Sequence, residues 1–512
     1  MAQRISRRTA VGLLASSAAA VAWPHSKAQA SASDDSVIIG WPSDVASWDP
    51  NQRFTPDAQS IFKAVYDQPL DQNPDLSLRP NVIKKWSMSP DGLRMDVELR
   101  DDILWQNGDK LTAEDFRYTF YERVRKYPQL KLDIGRSWRE IKNIEINAPH
   151  HCVITMSRPK PTAPQWFAFL GSYVVPKNYM EKVGIDEFRK KPIGSGPYRL
   201  VEYELNSRIV LERFDKYWGP KAKIKRVIYQ IIKDPSARVA AVESGKADLV
   251  INVPVREATR LGKVAGLASE LDPITRDILL QCRNDRGFAD ENVRLAAHHA
   301  IDKEALSKAF YEGAAVPLST LSPPGTPGYD PNFKFSYDPA KAVALLAKSG
   351  YSTKKPAKIK MMSTNGHFPS DFDIARAIVA MWKKVGIDAD LEAIEYAKYF
   401  ELNRGDKLPE ATLYSWDNAT GDPEIFAGYL LNPKLPFSAW KGMDVGERVI
   451  KLASVVDYKK RVAGYKAVEK YAVEKGATIP LLQSVLTIAR KRTLGFQKYE
   501  NGWILPQTMH WT

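Results

Sequence analysis

Apolar residues recur along this chain in two periods, and the alternation between them lays out an α/β protein. Residues 37–40 read as a strand, and Ile61, Ala64 and Val65 then fall at helical spacing. Between Asn81 and Arg100 the period drops to two: Trp86 and Met88 alternate with polar residues, Ser89-Pro90-Asp91-Gly92 supplies a turn, and Leu93, Met95, Val97 and Leu99 alternate again. That pattern predicts a β-hairpin. Thr112 and Asp115 predict a capped helix start, each side chain reaching the other's backbone, with Phe116, Tyr118 and Phe120 running into the helix. Residues 192–198, Pro-Ile-Gly-Ser-Gly-Pro-Tyr, join two extended segments. A phosphate-binding loop would need a helix start and a Lys-Ser/Thr pair, so Gly194 and Gly196 are read as turn residues. A basic strand over 224–232, a helix over 238–245 closed by glycine, and a strand over 247–250 follow.

The first thirty residues follow a different rule. Arg4, Arg7 and Arg8 precede an apolar run from Ala10 to Ala22, and Ala28-Gln29-Ala30 fits a small-x-small cleavage site. The run is shorter than the ~20 residues that span a bilayer as a helix, so residues 1–30 are expected to be an export signal removed after Ala30. Ser6-Arg7-Arg8 is compatible with the twin-arginine route as well as general secretion, and a periplasmic protein is expected. The mature chain is too long for one core, with 44% hydrophobic residues overall. Of the net charge of +14, the signal carries Arg4, Arg7, Arg8 and Lys27 and no acid, which leaves +10. The cations are scattered among 60 acids, and runs such as Lys383-Lys384 and Lys459-Lys460-Arg461 read as solvated helix faces, so no nucleic-acid partner is expected. Cys152 and Cys282 define no disulfide framework. The adjacent pairs His150-His151 and His298-His299 lack the i, i+4 spacing that puts two ligands on one helix face, so neither metal nor cofactor is expected.

The order of these segments resembles that of the extracellular solute-binding proteins of family 5, the dipeptide-, oligopeptide- and nickel-binding group of ABC importers. The resemblance rests on Trp48-Asp49-Pro50, the turn at 89–92, residues 111–120, 192–198 and 214–219, and Ser244 to Asp248. It continues through Asn284, Asp290 to Asp302, Tyr337-Asp338-Pro339 and Asp422-Pro423. It implies a two-lobe periplasmic-binding-protein fold of the α/β class, with hinge strands and an extra subdomain in the N-terminal lobe. Residues 278–284 and 479–489 suit the two crossings. The N-terminal lobe is then 31–280 plus 485–512, with an inserted subdomain at about 72–210, and the C-terminal lobe is 281–484.

The resemblance also implies a non-enzymatic, monomeric protein that closes over a small solute and presents it to an inner-membrane permease. Dipeptide-binding members carry an acid three positions after the counterpart of Trp416, where this chain has Ala419, and their carboxylate-binding Arg falls on Asn365. A cleft lacking both charge partners should reject a free dipeptide, because an unpaired charge is costly to bury. Trp416, Asp417, Asn418, Asn284, Asn365, His367, Asp422 and Trp48 are therefore the expected ligand contacts. Trp can cover the apolar face of a sugar ring, and Asn and Asp can bond its hydroxyls. A sugar, oligosaccharide or opine-like solute is the first expectation and an oligopeptide the second. Asp422 is also placed to cap the helix that follows it. A glycoside hydrolase, which needs two carboxylates across a cleft, is the rival class.

Overall fold

The computed structural model describes residues 35–52, 58–130, 132–418, 420–435 and 438–512. The expected signal segment and Ala419 lie outside them. No described helix is long and apolar enough to cross a membrane.

One ten-stranded sheet organises the molecule. In chain order its strands are β1 (Ser36–Trp41), β2 (Tyr198–Glu204), β3 (Arg208–Arg213), β4 (Arg226–Ile231) and β5 (Leu249–Ile251), then β6 (Leu267–Cys282), β7 (Ala357–Thr364), β8 (Ile387–Ile394), β9 (Ala411–Asp417) and β10 (Thr478–Lys491). In space they run β8-β7-β9-β6-β10-β5-β1-β4-β3-β2. The two longest, β6 and β10, pair antiparallel from Leu267↔Lys491 to Gln281↔Thr478, and their register shifts between Pro273 and Asp277. Proline has no amide to give a ladder, which makes Pro273 a natural place for the break. Beyond it β6 pairs with β9, Arg276 facing Asp417, whereas the far end of β10 pairs with β5, Leu249 facing Arg490. Each long strand thus belongs to two half-sheets and crosses between them near 273–277 or 483–485.

Strand direction follows from this pairing. β1 is parallel to β4 and β5, and β7 is parallel to β8 and β9. Because β6 and β10 are antiparallel, both parallel sets point their carboxyl ends at the crossing, from opposite sides. Val37, Ile39, Ile61, Phe62, Tyr198 and Tyr229 pack the core of one half, and Ile278, Leu280, Ile374, Trp382, Leu413 and Leu482 that of the other.

Between β1 and β2 the chain builds a separate four-stranded antiparallel sheet from Ile83–Met88, Arg94–Leu99, His151–Met156 and Ile141–Ala148. The predicted hairpin is its first pair, closed by Gly92 donating to the Ser89 carbonyl at 2.9 Å. The predicted capping box holds, with Glu114 N donating to Thr112 Oγ1 (3.3 Å) and Thr112 N to Asp115 Oδ2 (2.9 Å). The inserted sheet ends before Tyr198 and not near 210, because β2 and β3 already pair into the main sheet. Gly194 and Gly196 serve close approach: a Cβ on Gly194 would lie 1.9 Å from the Val65 carbonyl oxygen, and one on Gly196 2.6 Å from the Val65 carbonyl carbon. Cys152 and Cys282 are both free and buried.

Candidate functional site

In open α/β sheets ligands bind beyond the carboxyl ends of parallel strands, and here six such ends converge. A cleft of about 650 Å³ opens among them, lined by Asp44 after β1, Lys233 after β4, Asn365 and His367 after β7, and Tyr396 and Phe400 after β8. Trp416 and Asp417 end β9, and Asn418 follows them.

The loop after β7 is organised by Asp371. Its carboxylate accepts from Gly366 N (2.8 Å), His367 N (2.9 Å) and Thr364 Oγ1 (2.9 Å). Burial raises its pKa, and those same bonds oppose the rise. His367 is thereby fixed, its ring stacked on Tyr396 at 3.6 Å and 18°. Its carbonyl accepts from Asn252 Nδ2 at 3.4 Å, a contact from β5 in the other half-sheet. Asn252 sits at a left-handed φ of 53°, a conformation Asn tolerates better than most residues. From His367 a row of rings continues through Tyr414 (6.3 Å) to Trp416 (6.1 Å from Tyr414) and Tyr429 (6.3 Å from Trp416).

Trp416 is half-buried and held at two points. Its amide donates to Asp277 Oδ1 (3.1 Å) and its indole Nε1 to the Ile425 carbonyl (2.8 Å). Asp417 is buried opposite Arg276, 4.0 Å from the guanidinium. Asn418 N donates to the Thr275 carbonyl (3.0 Å), and its Oδ1 accepts from Gly421 N (2.9 Å). Its Nδ2 is buried without a partner among the described residues, a donor available to a guest. Burial pushes Asp277 well above the usual carboxylate range, with Glu469 and Asp417 adding to the effect and the Trp416 amide and Arg276 opposing it.

Of the expected contacts, Asn365 and His367 line the cleft, and Trp416, Asp417 and Asn418 stand at the end of β9, joined to His367 by the row of rings through Tyr414. Two expectations are corrected, and for Asp422 the capping alternative holds in place of a ligand contact. Asn284 lies beyond the far end of β6, eight residues past Arg276 or about 25 Å along an extended strand, where its Oδ1 accepts from Lys441 N (2.8 Å). Trp48 is 3% exposed, edge-on to Phe62 and Tyr203 in the core. Asp422 is a cap, accepting from Glu424 N (3.0 Å) and pairing with Arg461 (2.9 Å), so both its oxygens are occupied. Arg461 correspondingly leaves the solvated face expected for residues 459–461 and is 2% exposed. Sequence reasoning missed Asn252, Arg276, Asp277, Asp371 and Tyr396. The adjacent charges Arg276 and Asp277 interrupt an otherwise apolar stretch, and that was a usable signal.

Of the histidines, His298 is buried, stacked on Phe335 at 3.6 Å and accepting from Lys303 Nζ at 2.8 Å. No cluster of three or more metal-ligating side chains occurs among the described residues. The site offers aromatic rings and hydrogen-bonding groups from two half-sheets, and two of the charged residues that line it are paired within the protein: Asp44 accepts from Val45 N (2.7 Å), Asn206 N (2.7 Å) and Tyr203 Oη (3.0 Å), and Arg404 meets Asp133 at 2.6 Å, while Lys233 and Glu395 complete the charged lining.

The chain matches the family described as bacterial extracellular solute-binding proteins, family 5, middle region, over residues 77–434. It is 25% identical over 449 residues to the dipeptide-binding protein of Escherichia coli, covering 81% of this chain and 83% of that one. Its fold is that of the ABC transporter-associated periplasmic binding protein DppA from Helicobacter pylori in complex with the peptide STSA, with TM-score 0.85, 22% identity, and 93% and 98% of the two chains covered. It is likewise that of the binding protein AgaA from A. tumefaciens R10 in complex with agropinic acid, with TM-score 0.82, 21% identity and coverage of 93% and 99%.

Proposed function

Since this chain belongs to the bacterial extracellular solute-binding proteins of family 5, non-enzymatic components that deliver a small solute to an ABC permease, we propose that its cargo is a hydroxyl-rich solute of the opine or sugar class. The observation that carries this reading is the cleft lined by the rings of His367, Tyr396 and Phe400, with the neutral amide of Asn365 beside them. Ring faces cover the C–H surface of a sugar, and amides bond its hydroxyls. The agropinic acid held by AgaA, which shares this fold, favours the opine end of the class.

We further propose an exported, monomeric protein, cleaved after Ala30, with lobes at 31–280 plus 485–512 and at 281–484. The chain would cross between them where β6 and β10 change partners, so the C-terminal lobe's share of β6 begins a few residues earlier, near Asp277. A solute touching both lobes would stabilise the closed form by its differential affinity for it.

A second reading, an oligopeptide held through its backbone, is favoured by the likeness to the dipeptide-binding protein and to peptide-bound DppA. Native mass spectrometry of protein purified without refolding, followed by a thermal-shift panel of opines, sugars and peptides, separates the two. A co-purified or stabilising sugar-bearing compound supports the first, and stabilisation by peptides alone replaces it with the second.

A further inference from the structure

The short turn at 422–425 makes three contacts with three different parts of the molecule. Asp422 ties it to the helix Tyr458–Glu474 through Arg461 at 2.9 Å. The Ile425 carbonyl accepts from the Trp416 indole at 2.8 Å and so fixes the plane of that ring. Between them Glu424, 9% exposed, reaches across to the inserted subdomain, where its Oε2 accepts from Thr162 Oγ1 (2.5 Å) and Trp166 Nε1 (3.0 Å). The Trp166 ring lies 5.1 Å from that of Tyr429 in the same crossing. A second polar crossing joins Arg404 to Asp133 at 2.6 Å, with the Asp133 side chain 5% exposed. All these partners are protein groups.

We infer that Glu424 is a latch: its bonds to Thr162 and Trp166 hold the inserted subdomain against the second lobe and, through Ile425, tie that closure to the pose of Trp416. The inference rests on the reading that the subdomain belongs to the first lobe and that Trp416 meets the solute. When the lobes part, water replaces both donors at the carboxylate. When they meet, Glu424 is dry and needs Thr162 and Trp166. Removing one donor therefore penalises the closed form alone, because only there is a buried charge left short of a hydrogen bond. By the same argument part of the population closes before any solute arrives, since the latch needs none.

The test uses the full mature chain without added solute. Spin labels are placed at Ser87→Cys on the inserted sheet and Ala463→Cys on the helix Tyr458–Glu474, both exposed positions. The native thiols are 0% and 1% exposed and stay unlabelled. Pulsed dipolar spectroscopy should give a short-distance population in the otherwise unaltered protein. Thr162→Val, which keeps the side chain's volume, should lower the ratio of short to long distances about tenfold, the scale of one bond to a charged group, with the melting midpoint nearly unchanged, and Trp166→Phe should lower the ratio as well, with a lower midpoint because its ring is packed in the core. Glu424→Gln, which keeps an acceptor oxygen, should stay close to the parent distribution. A parent protein showing only the long distance overturns the inference. So do variants whose distances match the parent, whether or not their melting midpoints fall, because Glu424 would then be structural only. As no solute is present, this outcome is independent of whether Trp416 contacts one.

Discussion

Arg461 shows how far a single position can depart from its neighbours. Lys459-Lys460-Arg461 reads as one basic run, yet Arg461, Tyr465, Val468 and Ala472 share the buried face of the helix Tyr458–Glu474, at spacings of four, three and four that were present in the sequence. Its partner Asp422 is 1% exposed at the side chain. Breaking such a pair from one side leaves a buried charge, which costs about 3–5 kcal/mol. Arg461→Met should therefore lower the urea midpoint steeply, and adding Asp422→Asn should recover part of the loss; equal midpoints for the single variant and the parent would place Asp422 in contact with water. Trp416 is the opposite case, a large side chain left half-buried at the end of β9. Trp416→Ala should leave the melting midpoint of the solute-free protein within a few degrees and weaken binding of the cognate solute at least tenfold, the equivalent of about 1.4 kcal/mol. Calorimetric titration with the hit from the solute panel measures it, and unchanged affinity removes Trp416 from the site.

At the scale of elements, legibility followed locality. The hairpin at 83–99 and the capped helix at 113 were readable because their determinants lie within a few residues, namely the turn at 89–92 and the Thr112–Asp115 reciprocity. What β2 and β3 pair with was not readable, because it depends on β4, whose place in the sheet is fixed by β1 far back in the chain. The helix Tyr458–Glu474 carries a similar long-range surprise in Glu469. This residue is fully buried, accepts from Ser322 N (2.9 Å) and Ser322 Oγ (2.7 Å), and has its pKa pushed by burial to about 7, against the help of those bonds. The folded protein thus holds this proton through a window, from about 4.5 to about 7, in which the unfolded chain releases it. Protons bound in excess by the native state make stability fall as pH rises through that window. Glu469→Gln copies the protonated form, with its amide oxygen on Ser322 N and its amide N–H on Ser322 Oγ. The variant should match the parent at pH 4 to 5 and exceed it at pH 8 by about 3 kcal/mol, the scale of a shift of about two and a half pKa units. Denaturant melts at both pH values measure this, and a difference that does not change with pH would show that Glu469 keeps its ordinary pKa.

Over the whole molecule, the half of the site nearest in sequence was the easier half to see. Trp416 to Asn418 and Asn365 to His367 lie at the carboxyl ends of strands that point at the crossing, a position that strand order alone could have suggested. Asn284 and Trp48 failed because a strand has two ends and a loop has two sides, and only the pairing of Cys282 with Ala411 and the packing of Trp48 on Tyr203 decide which is used. The crossing itself has a further consequence for the last residues of the chain. β10 starts in one half-sheet and ends in the other, so everything after Lys491 is delivered to the half that β1 began. There Leu494, Ile504 and Met509 enter the same core as Val37 and Ile39. Ile504 N donates to Ser60 Oγ (3.0 Å), and the Trp511 indole to the Ser36 carbonyl (3.0 Å). Three such apolar side chains contribute about 1.5–3 kcal/mol each when buried, which together approaches the 5–15 kcal/mol that separates a folded domain from its unfolded chain. A chain ending at Arg492 should therefore lose the first half selectively. Limited proteolysis should cut it rapidly in the stretches around β1 and β2 while the segments carrying β7, β8 and β9 persist, and protection of both halves equal to the full-length protein would show that the first core closes without its tail.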